Sequence, residues 1–245
     1  MITKTTYNWL PMPTKPERNL MLILSDRSYC GPIDLLGPVR LFGRDNRYIT
    51  VGPDWMISVL QSRGENLEYR NRPRQLPSMV VNPEDGYLIV PFGEQLVMRT
   101  CGTLAKMWTL EDRTVISVIA KNAFTRKLVI FQVHFFYNTE IIEVHYKKAM
   151  TGHQTVIGAC GEQDDYLEWG CNAYEELGGT AIRIDTSIDE IVYGDITDGP
   201  NGHWDLPTAP PSKPKPVVDE SGMLEVASWQ DRGINYIVKR QEITI

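Results

Sequence analysis

The chain has 245 residues, of which 42% are hydrophobic and 23% charged, and its formal net charge is −6. Such a composition is typical of a folded protein and excludes a disordered chain, while the acidic balance argues against a large nucleic-acid-binding face. No apolar run reaches the ~18–20 residues that a membrane-spanning helix needs, so we expect no membrane insertion.

Short runs rich in β-branched and aromatic residues follow one another along the chain and favour strands. They lie at 20–24, 48–51, 55–60, 87–90, 114–120, 128–135, 142–147, 155–159, 166–169, 179–184, 190–193, 223–227 and 234–238. Residues 172–177 are the one candidate for a helical turn. Many short strands at ~8–12-residue spacing predict an all-β fold, an antiparallel β-sandwich with extended N- and C-terminal arms.

Alternation of apolar and polar residues is clearest across residues 128–147. The apolar members share one face and are expected to point inward: Phe131, Val133, Phe135, Ile142, Val144 and Tyr146. The polar members share the other face and are expected to point outward: Gln132, His134, Glu143, His145 and Lys147. Because side chains alternate across a strand, this pattern predicts an antiparallel ribbon with one face in the core and one face in water.

Two proline-rich segments lie outside the strand pattern and suggest a domain layout. We predict an N-terminal arm and first strand at 1–37 and a sandwich core at 38–198. Residues 199–219 are predicted to be an extended linker, because the eight Pro and Gly residues between positions 199 and 216 disfavour helix and central strand. Residues 220–245 then form a C-terminal β arm that docks on its own domain or on another subunit.

Large aromatic residues in the arms are the candidates for an interface. Trp9, Trp204 and Trp229 lie in or beside the proline-rich arms, and Tyr236 lies in the last predicted strand. A tryptophan on an extended arm needs a pocket for its large apolar surface, and in a neighbouring subunit it would dominate the interface energy. The alternative is that the arms fold back on their own domain.

The four cysteines do not indicate a metal or redox site. Cys30, Cys101, Cys160 and Cys171 form no C-x-x-C pair, so neither a zinc ribbon nor a thioredoxin-like motif is supported. Four free and mostly buried thiols are expected, with a bridge between Cys160 and Cys171 as the alternative.

Residues that could carry catalysis are few. The sequence contains no G-x-S-x-G elbow, P-loop or H-E-x-x-H motif. His134 and His145 lie on adjacent predicted strands and could bind a metal, but no third ligand stands at a suitable spacing. We therefore expect no catalytic residue, cofactor or metal, and interpret these histidines as part of a polar face.

Taken in order, several segments of the chain resemble one known family. They are Leu41-Phe42-Gly43, residues 48–59, 87–93 (Tyr-Leu-Ile-Val-Pro-Phe-Gly), the ribbon 131–146, 155–158 (Thr-Val-Ile-Gly) and 165–169 (Asp-Tyr-Leu-Glu-Trp). Over residues 38–170 this order resembles the nidogen-like β-sandwich domain of extracellular adhesive and matrix proteins. The resemblance implies a fold used for adhesion and assembly, without shared catalytic residues.

These features predict a non-enzymatic structural protein that binds neighbouring protein subunits, including copies of itself, through its arms. We expect a virion component assembled in the host cytoplasm, such as a capsid decoration, connector, baseplate or tail-fibre-base subunit of a phage. One alternative is an extracellular or cell-surface adhesive module that binds protein or glycan. A less favoured alternative is a metal-dependent hydrolase that uses the His134 and His145 face.

Overall fold

The computed structural model describes residues 6–11, 19–22, 30–52, 55–63, 86–97, 104–161, 165–198, 217–218, 223–231 and 234–241. Strands, turns and bends make up these ranges, which contain no helix, so the predicted all-β fold is confirmed. Within the same ranges, no helix is long and apolar enough to span a membrane.

The described strands are numbered in chain order. They are β1 (Thr6–Trp9), β2 (Asn19–Leu22), β3 (Cys30–Leu41), β4 (Arg44–Val51), β5 (Ile57–Leu60), β6 (Tyr87–Val90), β7 (Leu96–Val97), β8 (Leu104–Thr109), β9 (Arg113–Asn122), β10 (Leu128–Phe136), β11 (Ile141–Lys148), β12 (Thr155–Cys160), β13 (Tyr166–Cys171), β14 (Thr180–Asp185), β15 (Glu190–Asp198), β16 (Val217–Val218), β17 (Met223–Asp231) and β18 (Ile234–Gln241).

The largest sheet has nine strands in the order β1-β15-β14-β11-β10-β9-β8-β2, with β7 also paired to β9. Its described pairings are antiparallel except at one edge, where β1 runs parallel to β15 and Thr6 pairs with Asp195. The first two strands of the chain therefore lie at opposite ends of this sheet.

A second sheet has six strands in the order β13-β12-β6-β5-β4-β3, all antiparallel. The strands expected at 48–51, 55–60, 155–159 and 166–169 are confirmed, and they pair as β4–β5 and β12–β13. The ribbon expected at 128–147 is confirmed as β10–β11.

The two sheets share one apolar core between their inner faces. The six residues of β10 and β11 that were expected to point inward are all 0% exposed. They belong to the same buried cluster as Ile49, Val59 and Ile157 of the six-stranded sheet. Burial of apolar area at about 25 cal/mol per Å² makes this shared layer the main stabilising feature of the fold.

The opposite face of the β10–β11 ribbon corrects one prediction. Gln132 and His134 are 0% exposed, His145 is 1% exposed and Glu143 is 7% exposed, so the prediction that this face lies in water is wrong. The reason is that a segment distant in the sequence covers it, which alternation within the ribbon cannot reveal.

The expected helical turn at 172–177 is also wrong. This segment runs alongside residues 149–151 instead, with the Leu177 N–H donating to the Ala149 carbonyl and the Thr151 N–H donating to the Glu175 carbonyl. Backbone partners from a neighbouring loop replace the hydrogen bonds of a helical turn.

Cys160 and Cys171 are free thiols, as expected. Cys160 lies opposite Tyr166 and Cys171 lies opposite Thr155, at the two ends of the β12–β13 hairpin, so they do not form a bridge. Burial raises the pKa of both thiols to about 12. Cys30 is half-buried, and Cys101 lies outside the described residues.

The last three strands form a sheet of their own, in the order β16-β17-β18. Their pairings are antiparallel, and Trp229 lies opposite Tyr236. The two strands expected at 223–227 and 234–238 are therefore confirmed, and their described pairings are with one another and with β16.

Candidate functional site

Four buried polar side chains on the outer face of the nine-stranded sheet form an outer polar cluster: Gln132 and His134 on β10, and Glu143 and His145 on β11. In the ribbon register Gln132 lies opposite His145, and His134 lies opposite Glu143. This places the two imidazoles diagonally across the strands, where their rings stack with centroids 4.2 Å apart and an interplanar angle of 25°. The expectation that the two histidines are neighbours is thus confirmed.

Hydrogen bonds satisfy one nitrogen of each imidazole. His145 Nε2 lies 3.0 Å from Glu143 Oε2, and His134 Nε2 lies 3.2 Å from Gln132 Oε1. Because an amide oxygen only accepts, the proton in the second bond belongs to His134 Nε2. Among the described residues, the Nδ1 atoms of both rings are buried without a hydrogen-bond partner.

The N-terminal segment covers this cluster and is held by Gln132. The Leu10 N–H donates to Gln132 Oε1 at 3.3 Å, and Gln132 Nε2 donates to the Leu10 carbonyl at 2.8 Å. One side-chain amide therefore binds both backbone groups of a residue 122 positions away in the sequence, much as a neighbouring strand would. The two bonds also fix the orientation of the amide.

The side chains of β1 alternate toward and away from the sheet. Tyr7 is 6% exposed and its ring centroid lies 5.6 Å from that of His145, whereas Asn8 is exposed. Trp9 is 2% exposed and forms a buried cluster with Ile119 and Ile130. This period of two is what the sequence Tyr-Asn-Trp predicts for a strand with one buried face. Pro11, after Leu10, provides no N–H for further pairing.

A cation and further apolar groups complete the surroundings of the indole. The Lys147 ammonium lies 5.6 Å from the centroid of the Trp9 ring, within the range of a cation–π interaction. Leu104, Leu128 and Ile196 pack at the margin of the same cluster. We call this site, with its floor on β9, β10 and β11 and its occupant Thr6–Leu10, the arm groove.

Burial keeps His134 neutral. Burial lowers the pKa of His134 well below its ordinary value, and the neighbouring His145 and Arg113 lower it further. A cation in this position would lose its hydration beneath the N-terminal strand. The arrangement therefore suits a neutral imidazole that supports a covering strand, with Glu143 as acceptor for the second ring.

The two histidines have no additional metal ligand beside them in the part of the chain that the structure describes. Within those residues, no group of three or more His, Cys, Asp or Glu side chains could hold a metal ion. His145 already donates to Glu143, and the rings lie stacked rather than pointing at one common position.

The structure separates the predicted interface residues. Trp9 packs within its own chain, which matches the alternative that the N-terminal arm folds back. Trp229 and Tyr236 lie opposite each other on β17 and β18, and Trp204 lies outside the described residues. The sequence analysis did not predict that Gln132 binds the backbone of Leu10. The available signal was that glutamine and histidine occupy an outer face where lysine and threonine would be expected in contact with water.

Comparison with known proteins gives no relative for this chain. No family model, no curated protein and no solved structure matches it.

Proposed function

We propose that this protein is a non-enzymatic structural subunit of a larger assembly, and that it joins neighbouring subunits through its C-terminal strands. A virion component of the capsid decoration, connector, baseplate or tail-fibre-base kind fits this role best. The observation that carries the proposal is that β16, β17 and β18 pair with one another in a separate sheet instead of completing the sandwich.

The register of that sheet supports an adhesive role for one of its faces. Cross-strand partners share a face of a sheet. The pairs on one face are mainly apolar: Trp229 with Tyr236, Ala227 with Val238, and Val218 with Leu224. Two charged residues also lie on this face, Asp231 opposite Ile234 and Arg240 opposite Leu224. The pairs on the other face are mainly polar: Gln230 with Asn235, Ser228 with Ile237, and Glu225 with Lys239.

The apolar face of this sheet would gain stability from a covering partner. Three strands need a hydrophobic face for independent stability, and removing that face from water contributes about 25 cal/mol per Å² of apolar area. The segment 199–216 that precedes them is long enough to reach a neighbour, since 18 residues can extend to on the order of 50 Å in a polyproline II conformation. We place the apolar face against a neighbouring subunit, with Trp229 and Tyr236 as its anchors.

Deletion of residues 217–245 tests this proposal. We expect the shortened protein to keep the cooperative unfolding transition of the sandwich. We also expect analytical ultracentrifugation to detect higher-mass species for the full chain and none for the shortened protein. Trp229→Ala in the full chain should weaken assembly by about tenfold or more, as for an interface anchor. Gln230→Ala, on the other face of the same strand, is the matched control and should leave assembly unchanged.

Two results would contradict the proposal. The first is a deletion variant that fails to fold, because the C-terminal strands would then be part of the sandwich. The second is a wild-type full chain that stays monomeric at every concentration tested, as the Trp229→Ala variant does.

A second candidate function rests on an aromatic pair at the edge of the sandwich. Trp169 and Tyr193 stack with centroids 5.5 Å apart and an interplanar angle of 14°, and Tyr193 and Tyr166 remain partly exposed. Exposed aromatic faces bind the apolar faces of sugars, which favours the cell-surface adhesive module that the nidogen-like resemblance implies. Glycan-array binding that is lost in Tyr193→Ala would support this candidate over the first.

A further inference from the structure

The arm groove and its occupant are separable parts of the molecule. The described groups on β9–β11 and β15 that hold Thr6–Leu10 all lie more than a hundred positions away in the sequence. The groove floor is held by the antiparallel pairings of β9, β10, β11 and β14, and none of these pairings uses β1. The floor thus has the form of a preformed site, and the arm has the form of a ligand.

Binding in the arm groove depends on both the backbone and the side chains of the arm. Pairing of β1 with β15 and the two bonds from Gln132 to Leu10 use main-chain groups that any extended peptide has. Tyr7 and Trp9 provide specificity, because one ring lies beside His145 and the other fills the cluster with Ile119 and Ile130. This combination is the strand-addition mode of peptide recognition.

We propose that in the assembled state the arm groove of one copy binds residues 6–10 of a second copy, so that neighbouring copies exchange their N-terminal strands. The occupant is a second copy because the groove fits a Tyr-x-Trp-Leu strand, which every copy carries at the same position. Exchange keeps each contact of the closed form and costs only the entropy of association. A high local concentration of copies within an assembly reduces that cost.

The position of the arm favours its release. It pairs through four residues at the edge of the sheet, and terminal edge strands open at lower free energy than central ones. Opening of the groove exposes Ile119, Ile130 and the imidazole of His134 to water. Because exposure of apolar surface is unfavourable, the open groove favours binding of another N-terminal strand. The sequence that follows the arm contains prolines at positions 11, 13 and 16, and proline reduces the conformational entropy that an unfolded segment can lose on ordering.

The arm groove is a different surface from the C-terminal strands, so strand exchange can be tested separately from the proposed contact through β16–β18. In the full chain, Tyr7 is replaced by the photo-cross-linking residue p-benzoylphenylalanine, and an equal mixture of ¹⁴N- and ¹⁵N-labelled chains is concentrated and irradiated. Cross-linked peptides are then identified by mass spectrometry. The same residue placed at Asn8, which is exposed on the other side of β1, is the matched control.

Exchange predicts cross-links from position 7 to the β11 peptide that contains His145, with heavy and light isotopes paired at random. Position 8 should give few cross-links to that peptide. Cross-links from position 7 that join peptides of one isotope only, at every concentration, would overturn the proposal. Cross-links to another surface, such as the C-terminal strands, would overturn it as well.

A second measurement does not depend on the photo-cross-linking residue. A fluorescent peptide with the sequence of residues 2–12 is titrated with the full-length Trp9→Ala chain, whose own arm has lost its buried indole and competes only weakly for the arm groove. Saturable binding is expected, with an affinity at least about tenfold lower for a peptide that carries Trp9→Ala, as for the loss of a buried aromatic anchor. Absence of saturable binding, or equal binding of both peptides, would contradict recognition of the arm in trans.

Discussion

The two faces of the β10–β11 ribbon are equally buried but differ in chemistry. Val133 on the inner face and His134 on the outer face, adjacent in sequence, are both 0% exposed. The inner face packs apolar groups against a second sheet, whereas the outer face forms hydrogen bonds beneath a strand from the N-terminus. Alternation along a strand therefore identifies which residues share a face, but it does not show whether the polar face meets water.

The largest expected effect comes from a charge on the inner face. Val133→Asp places a carboxylate in the apolar core, and we expect a loss of several kcal/mol of unfolding free energy, about 4 or more. Urea denaturation followed by tryptophan fluorescence measures this loss. Asn8→Asp, which adds the same group at an exposed strand position, should change stability by less than about 0.5 kcal/mol. Equal midpoints for the two variants would mean that Val133 does not face the core.

An intermediate effect is expected from the strand that covers the outer face. Trp9→Ala removes the indole from its cluster with Ile119 and Ile130. Large-to-small changes of a buried aromatic cost about 3–5 kcal/mol, and we expect the lower end because the arm can undock while the sandwich stays folded. Hydrogen exchange should speed up for the backbone amides of residues 7–10 and of the outer polar cluster, and remain slow in β4 and β5.

The control for this variant lies on the same strand. Asn8→Ala should leave both stability and exchange nearly unchanged, because its side chain is exposed. If Trp9→Ala behaved like Asn8→Ala, the N-terminal strand would not be a structural cover.

Local patterns predicted these strands but not the N-terminal strand that covers the outer face. Runs of β-branched and aromatic residues were sufficient to predict the strands at 48–60 and 155–169, which pair with their neighbours in sequence. The pairing of Thr6–Trp9 with 195–198 joins opposite ends of the sandwich sequence, and no local signal specifies it. For the site, hairpin register predicted that His134 and His145 are neighbours, whereas their burial depends on Tyr7, Trp9 and Leu10.

The smallest expected effect is a pH dependence that belongs to the outer face. Burial, together with His145 and Arg113, lowers the pKa of His134 in the folded state, so below pH ~6.5 the unfolded chain binds a proton that the folded chain does not. Stability should therefore fall as pH decreases from ~6.5 toward the lowered pKa, by up to about 1.4 kcal/mol per pH unit for this one group. Other charged groups lie on or beside this face: Lys106, Glu143, Lys147 and Arg183.

Equilibrium unfolding of the wild-type chain and of His134→Gln between pH 5 and 8 isolates this contribution. The difference in unfolding free energy between the two proteins should change over the acidic half of the range and be constant above pH ~7. A difference that is independent of pH would show that His134 titrates normally and that its face is open to water.

The N-terminal strand lies over the outer face of the nine-stranded sheet, with Trp9 packed against Ile119 and Ile130. Nuclear Overhauser measurements between the Trp9 ring and ¹³C-labelled isoleucine methyl groups test this contact most directly. We predict cross-peaks from Trp9 to Ile119 and Ile130 that disappear in Trp9→Ala, and none to Ile49 or Ile57, which lie in the core between the sheets. Absence of the Trp9 cross-peaks to Ile119 and Ile130, in both monomeric and assembled protein, would contradict this contact.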